Sequence, residues 1–271
     1  MSAGAPAHQE GRQKFERDGK PFKLTFSMGV IFGMNPVLEA LRARGRAFAW
    51  VGIAKERRDL RLEKLVQECR QCGIAVRFLS RAELDRMTAG GAHQGVVAVT
   101  SAKQYSDWED LVGQKRDRYS LVVVVDGVED PHNLGAILRT AEAAGADGVV
   151  IPERHAVGVT GTVAKASAGA SEYISVAKVG NLSRTLEELK AKGLWIVGLD
   201  ERGKEPYDKV DYNMDCAICV GAEGRGLHQL VARTCDFLIS IPMLGKVSSL
   251  NVSVAAGIVL YEAVRQRRKM S

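Results

Sequence analysis

Three polar clusters, each placed at the end of an apolar run, carry the residues of this chain that could do chemistry. The first, Asp126-Gly-Val-Glu-Asp-Pro-His-Asn133, follows Leu121-Val-Val-Val-Val125 and leads into a helical pattern holding Arg139. The second, Gly221-Ala-Glu-Gly-Arg-Gly-Leu227, follows Cys216-Ala-Ile-Cys-Val220. The third, Ile241-Pro-Met-Leu-Gly-Lys-Val-Ser-Ser-Leu-Asn251, continues a run that begins at Phe237 and opens a helix of small residues, Ser253, Ala255, Ala256 and Gly257. A helix built only for packing would fill that face with Leu, Ile or Phe; small side chains leave room for a backbone or a flat ligand. Glu223 sits between glycines, where a structural role is weak. Asn133 reads as the N-cap of its helix, and Ser249 and Asn251 could cap the last one.

The elements that must position these clusters alternate. Continuous Val, Ile and Leu runs predict strands near 121–126, 147–151, 172–177, 194–199, 216–220 and 237–241, buried on both faces. Helices are expected near 134–144, 160–168, 183–192, 227–233 and 249–267, which gives an α/β fold with a mostly parallel sheet covered on both sides. All three clusters then fall past C-terminal strand ends, the edge where open α/β sheets bind ligands. Upstream, residues 28–100 predict a compact α/β/α unit. Its helices begin at Asn35-Pro36, Asp59 and Arg81, and its strands lie at 48–53, 74–78 and 95–99. Residues 101–118 read as a linker, 119–271 as the second domain, and 1–27 as a flexible arm without the apolar core of a signal peptide.

Several function classes are excluded. No Gly-x-Gly-x-x-Gly follows a strand and no Gly-x-x-x-x-Gly-Lys-Ser/Thr loop occurs, which removes a dinucleotide oxidoreductase or a P-loop enzyme. The pairs Cys69/Cys72 and Cys216/Cys219 lie far apart, and the second sits within a strand that points its cysteines to opposite faces. Buried thiols are therefore expected, and no metal. No apolar run approaches the roughly 18 residues of a membrane span, so the expected location is cytoplasmic. The net charge of +6 is unevenly spread: residues 28–100 hold twelve Lys/Arg against seven Asp/Glu, residues 119–271 seventeen against eighteen. A basic N-terminal unit beside a less basic pocket suits an enzyme that grips RNA phosphates in one place and reacts in another.

In order and spacing the three clusters resemble the three motifs of the SpoU (TrmH-type) branch of SPOUT methyltransferases, over about residues 119–267. The segments Ile31-Phe-Gly-Met-Asn-Pro-Val-Leu-Glu-Ala-Leu41 and His93-Gln-Gly-Val-Val-Ala98 resemble the small RNA-binding domain of that family, a ribosomal protein L30e-like unit. The resemblance implies a C-terminal trefoil knot, a homodimer, and S-adenosylmethionine as methyl donor. It also implies 2′-O-methylation of a ribose, with a guanosine of bacterial 23S ribosomal RNA as the expected target. A transfer-RNA ribose methyltransferase and a non-catalytic RNA-binding or ribosome-assembly protein are the alternatives.

It further implies residue roles. Asn133, Arg139, Glu223, Ser249 and Asn251 would form the catalytic site, and Gly221, Ile241 and Leu250 would present backbone groups to the cofactor. Arg139 would act on the hydroxyl. A guanidinium is a poor base, so either its pKa falls locally or it orients the hydroxyl while the proton leaves otherwise. His132 is a second candidate base, which would need an orienting carboxylate.

Overall fold

In a computed structural model the structure describes residues 15–17, 20–22, 28–57, 59–112 and 118–268. Two short strands, β1 (Phe15–Arg17) and β2 (Lys20–Phe22), pair antiparallel. Part of the expected arm is thus a hairpin, and the rest of that expectation lies outside the described residues.

The first sheet comprises β3 (Met28–Phe32), β4 (Phe48–Ala54), β5 (Val76–Leu79) and β6 (Val96–Ser101), in the order β3-β6-β4-β5. Strand β6 runs antiparallel to both β3 and β4, and β5 runs parallel to β4. Helices α1 (Met34–Ala43), α2 (Leu60–Gln71) and α3 (Arg81–Met87) complete the unit. Asp59 caps α2 through the amides of Arg61 and Leu62, and Ser80 with Glu83 forms a capping box on α3. Helix α1 starts at Met34, one residue before the expected position, behind Gly33 at φ 99°. Sequence reading left out β3, whose five residues carry no alternation to mark a strand.

The second sheet has seven strands: β7 (Leu121–Asp126), β8 (Gly148–Pro152), β9 (Val176–Val179), β10 (Trp195–Leu199), β11 (Glu205–Pro206), β12 (Cys216–Gly221) and β13 (Phe237–Ser240). Their order is β11-β13-β10-β12-β7-β8-β9, and every pairing is parallel. Alternation along β7 explains the Val run. Val123 and Val125 enter one core, while Val122 and Val124 enter the other. Helices α4 (Pro131–Ala143), α5 (Gly161–Ala166) and α8 (Val252–Arg268) lie over the first core, and α6 (Leu182–Ala191) and α7 (Gln229–Thr234) over the second. The strand expected at 172–177 begins later, at Val176, because Ala170–Glu172 forms a 3-10 turn. Cys216 enters the first core and Cys219 the second, and all five cysteines are free thiols.

Residues 106–112 are not a bare connection. Ser106 pairs with Ala177, and Leu111 and Val112 are buried in the second core. The small unit is also seated directly on the large one. Ala164 of α5 belongs to the small unit's core, and a side chain on Gly161 would overlap the Val30 carbonyl oxygen. Arg46 holds Glu172 in a two-pronged ion pair at 2.7 and 2.9 Å, with the side chains 3% and 2% exposed. The Ser171 hydroxyl donates to the same carboxylate and Lys103 donates to the Glu172 carbonyl oxygen, so the buried charge is well solvated by protein.

This geometry makes Arg46→Ala costly, because it leaves Glu172 charged and buried. Urea unfolding is expected to show a loss of about 3–5 kcal/mol, with Arg46→Met/Glu172→Leu recovering much of it. A loss below about 1 kcal/mol, the value of an exposed pair, would contradict the buried assignment.

Candidate active site

Strand β7 ends at Asp126, and the chain turns through Gly127 at φ 75° before α4 begins. The cap of α4 is Asp130, which accepts from the His132 amide at 2.9 Å, with Pro131 in the first helical turn. This corrects the expectation that Asn133 is the cap. Asn133 is the third residue of the helix, and its side chain is buried.

Freed from capping, Asn133 links the three clusters. Its Nδ2 donates to Glu223 Oε2 at 3.3 Å, and its Oδ1 accepts from Asn251 Nδ2 at 2.9 Å. Asn251 Oδ1 in turn accepts from the amides of Ser253 and Val254 and from the Ser253 hydroxyl, so Asn251 is the cap of α8. Each amide has both ends in use, which fixes which atom is oxygen and which nitrogen.

The glycine-rich loop is shaped by its own backbone. Arg225 and Gly226 donate to the Ala222 carbonyl, and a Cβ on Gly221 would overlap the Gly226 carbonyl carbon. The loop's return on itself therefore requires a bare Gly221. Two buried aspartates, at the ends of the strands on either side of β12, clamp the loop's exit. Asp200, following β10, accepts from the Leu227 amide at 2.9 Å, and Asp126 accepts from the His228 amide at 2.8 Å. Arg202 closes on Asp200 at 2.6 and 2.7 Å. Burial pushes the Asp200 carboxyl up, but hydrogen bonds from the Arg202 side chain and from the amides of Arg202 and Leu227 outweigh it and hold it below the usual range. Asp126 also meets His228 Nδ1 at 2.8 Å. Sequence reasoning assigned no role to either aspartate; the signal was an acidic residue directly after an apolar strand.

Beyond β10, β12 and β13 lies a cleft of about 360 Å³, within the size range of small-molecule sites. Gly221, Ile241 and Leu250 line it, as do Glu223 and Ser249. Leu199, Val220, Met243 and Val252 add apolar wall. Among the described residues no hydrogen bond engages the backbone N–H or C=O groups of residues 241–250, so they can meet a ligand. Arg139 stands apart. Six residues beyond Asn133 it emerges on another face of α4, exposed, off the cleft wall and without a partner among the described residues. His132 is likewise exposed, and among the described residues no carboxylate orients its ring. Among the described residues no group of three or more His, Cys, Asp or Glu side chains converges as a metal site.

Comparison with known proteins gives two family matches. Residues 120–261 match the SpoU rRNA Methylase family, and residues 30–106 match the RNA 2′-O ribose methyltransferase substrate binding family. A Bacillus subtilis protein named as a TrmH family tRNA/rRNA methyltransferase, YacO, is 44% identical over 239 residues, covering 88% of this chain and 95% of that one. The SpoU methyltransferase AviRb of Streptomyces viridochromogenes, solved with AdoMet, is 25% identical with a TM-score of 0.75, covering 89% of this chain and 91% of that one. An AdoMet-bound rRNA methyltransferase from Sinorhizobium meliloti is 27% identical with a TM-score of 0.73, covering 88% and 87%.

The loop geometry sets a test between two glycines. Gly221→Ala forces the return of the loop open and is expected to cost about 1–3 kcal/mol in urea unfolding, the range for overpacking. Gly245→Ala meets nothing within 4 Å and is expected to be neutral. Equal effects at the two positions would contradict the backbone clash.

Proposed function

The chain belongs to the SpoU rRNA Methylase family, and from that premise we propose that it methylates the ribose 2′-hydroxyl of a guanosine in 23S ribosomal RNA. The family's reaction is S-adenosylmethionine-dependent ribose methylation of tRNA or rRNA. The observation that carries the reading is the hydrogen-bonded series Glu223–Asn133–Asn251 beside the cleft. A protein that only bound RNA would have no use for that series or for the cleft.

The residues present fit the cofactor. Apolar walls at Leu199, Val220 and Ile241 suit an adenine, and the unengaged backbone of residues 241–250 suits its polar edge. When bound, S-adenosylmethionine supplies a methyl group on a positively charged sulfur. Gly221, Ile241 and Leu250 hold the cofactor by their backbone, Asn133 fixes Glu223, and Ser249 and Asn251 shape the ribose end. No metal enters this reading. Arg139 acts on the hydroxyl and neighbouring phosphate through its planar fork. Because it is exposed and not on the wall of its own cleft, we read the site as one completed by a second copy of the chain in a homodimer. The C-terminal trefoil knot belongs to the same reading. So does the cytoplasm as location; no helix among the described residues is long and apolar enough to cross a membrane.

The substrate-binding match at residues 30–106 and the basic excess of residues 28–100 support placing the RNA grip there. Ribosomal RNA is favoured because the rRNA methyltransferase from Sinorhizobium meliloti aligns over 88% of this chain, both units included. Mapping 2′-O-methylation across rRNA and tRNA, from cells with and without the protein, is expected to show loss at one guanosine of 23S rRNA. Loss confined to tRNA would overturn the substrate assignment.

Arg139→Ala is expected to slow single-turnover methylation by about 10²–10³, the range for removal of one electrostatic group from an active site, while cofactor affinity stays within about twofold. Arg139→Lys keeps the charge without the fork and is expected to be similarly slow. A near wild-type rate for either variant would reject the hydroxyl-directed role.

A further inference from the structure

Among the described residues the cleft wall carries three carboxylates, Asp200, Glu201 and Glu223, and no lysine, arginine or histidine. Their engagements differ. Asp200 is saturated by the Arg202 side chain and by the amides of Arg202 and Leu227, and Arg202 matches its charge. Glu223 accepts from Asn133. Glu201 is exposed and has neither hydrogen bond nor ion pair among the described residues.

Its backbone position is nonetheless fixed. Glu201 stands on the turn that leaves β10, two residues beyond Leu199. That turn closes through the Gly203 amide donating to the Asp200 carbonyl, and it lies so near β13 that a Cβ on Gly203 would overlap the Ile239 backbone. The wall therefore presents a carboxylate that no ion pair neutralises among the described residues; the neighbouring Arg202 guanidinium, whose charge Glu201 feels, is held by Asp200.

The methyl donor and its product differ in charge. S-adenosylmethionine carries a sulfonium cation, and loss of the methyl leaves S-adenosylhomocysteine with a neutral sulfide. Adenosine, carboxylate and ammonium are common to both. A charge on the wall can therefore tell them apart at long range, without contact to the methyl itself.

We propose that Glu201 is a specificity-determining residue of the cofactor cleft, favouring the cationic donor over its neutral product and so hastening exchange after each turnover. The proposal rests on the reading of this cleft as the cofactor site. Because Glu201 is exposed, solvent and salt limit its effect to about threefold to tenfold in affinity.

Isothermal titration of the full chain would compare wild type, Glu201→Gln and Glu201→Ala against three ligands. These are S-adenosylmethionine, S-adenosylhomocysteine, and sinefungin, which carries an amine-bearing carbon in place of the methylated sulfur. Both variants are expected to bind S-adenosylmethionine and sinefungin about threefold to tenfold more weakly, with S-adenosylhomocysteine changing by less than about twofold. Added salt should narrow the wild-type preference in the same direction. Equal losses for all three ligands would overturn the proposal, since they would mean a contact to the shared parts. So would no loss for any of them. If wild type binds neither donor nor product, the cofactor reading of the cleft fails, an outcome distinct from either of these.

Discussion

Two buried carboxylates, placed at the ends of the strands that flank β12, hold the site together. Asp200 and Asp126 each accept a backbone amide, from Leu227 and His228 in turn, and so fix two consecutive peptide units where the glycine-rich loop ends. A buried charge is expensive unless it is paired and hydrogen-bonded. Arg202 and His228 complete the shells of these two. With its exit pinned, the loop can turn back on itself at Gly221 and hold Glu223 within reach of Asn133.

The Asn133 series converts that local restraint into a shared site. Its hydrogen bonds join residues 90 and 118 positions apart in the chain. Only a parallel sheet, which gathers the C-terminal ends of β7, β12 and β13 on one edge, brings them within reach. Farther out, the Arg46–Glu172 pair and the contact of α5 with β3 seat the basic unit on the same framework. An RNA gripped by the small unit is thereby presented to the large one at a set distance. Deleting the small unit would uncover Glu172 and Ala164, so its removal would test stability along with binding.

Much of this was legible in the sequence, and what was not has physical reasons. The Val runs of β7 and the apolar run of β12 specify strands buried on both faces, and the motif order carried the family. Asn133 was misread because Asp130-Pro131 starts the helix three residues earlier, which turns the asparagine inward. Asp126 and Asp200 escaped notice since their partners lie 102 and 27 residues away, and local pattern does not encode such distances. The reason for Gly221 was hidden likewise: its neighbour is the backbone of its own loop. The two-residue β11 contains a proline and gives no strand signal. The stretch read as a linker buries Leu111 and Val112, a role its polar surroundings concealed.

The most direct test of the clamp is calorimetric titration of S-adenosylmethionine into the Asp200→Ala protein, with far-ultraviolet circular dichroism confirming that the chain remains folded. Loss of this carboxylate releases the Leu227 amide and Arg202 together, and affinity is expected to fall at least about tenfold, the equivalent of one or two charge-assisted hydrogen bonds. Wild-type affinity in a folded Asp200→Ala protein would contradict the claim that this clamp shapes the cofactor cleft.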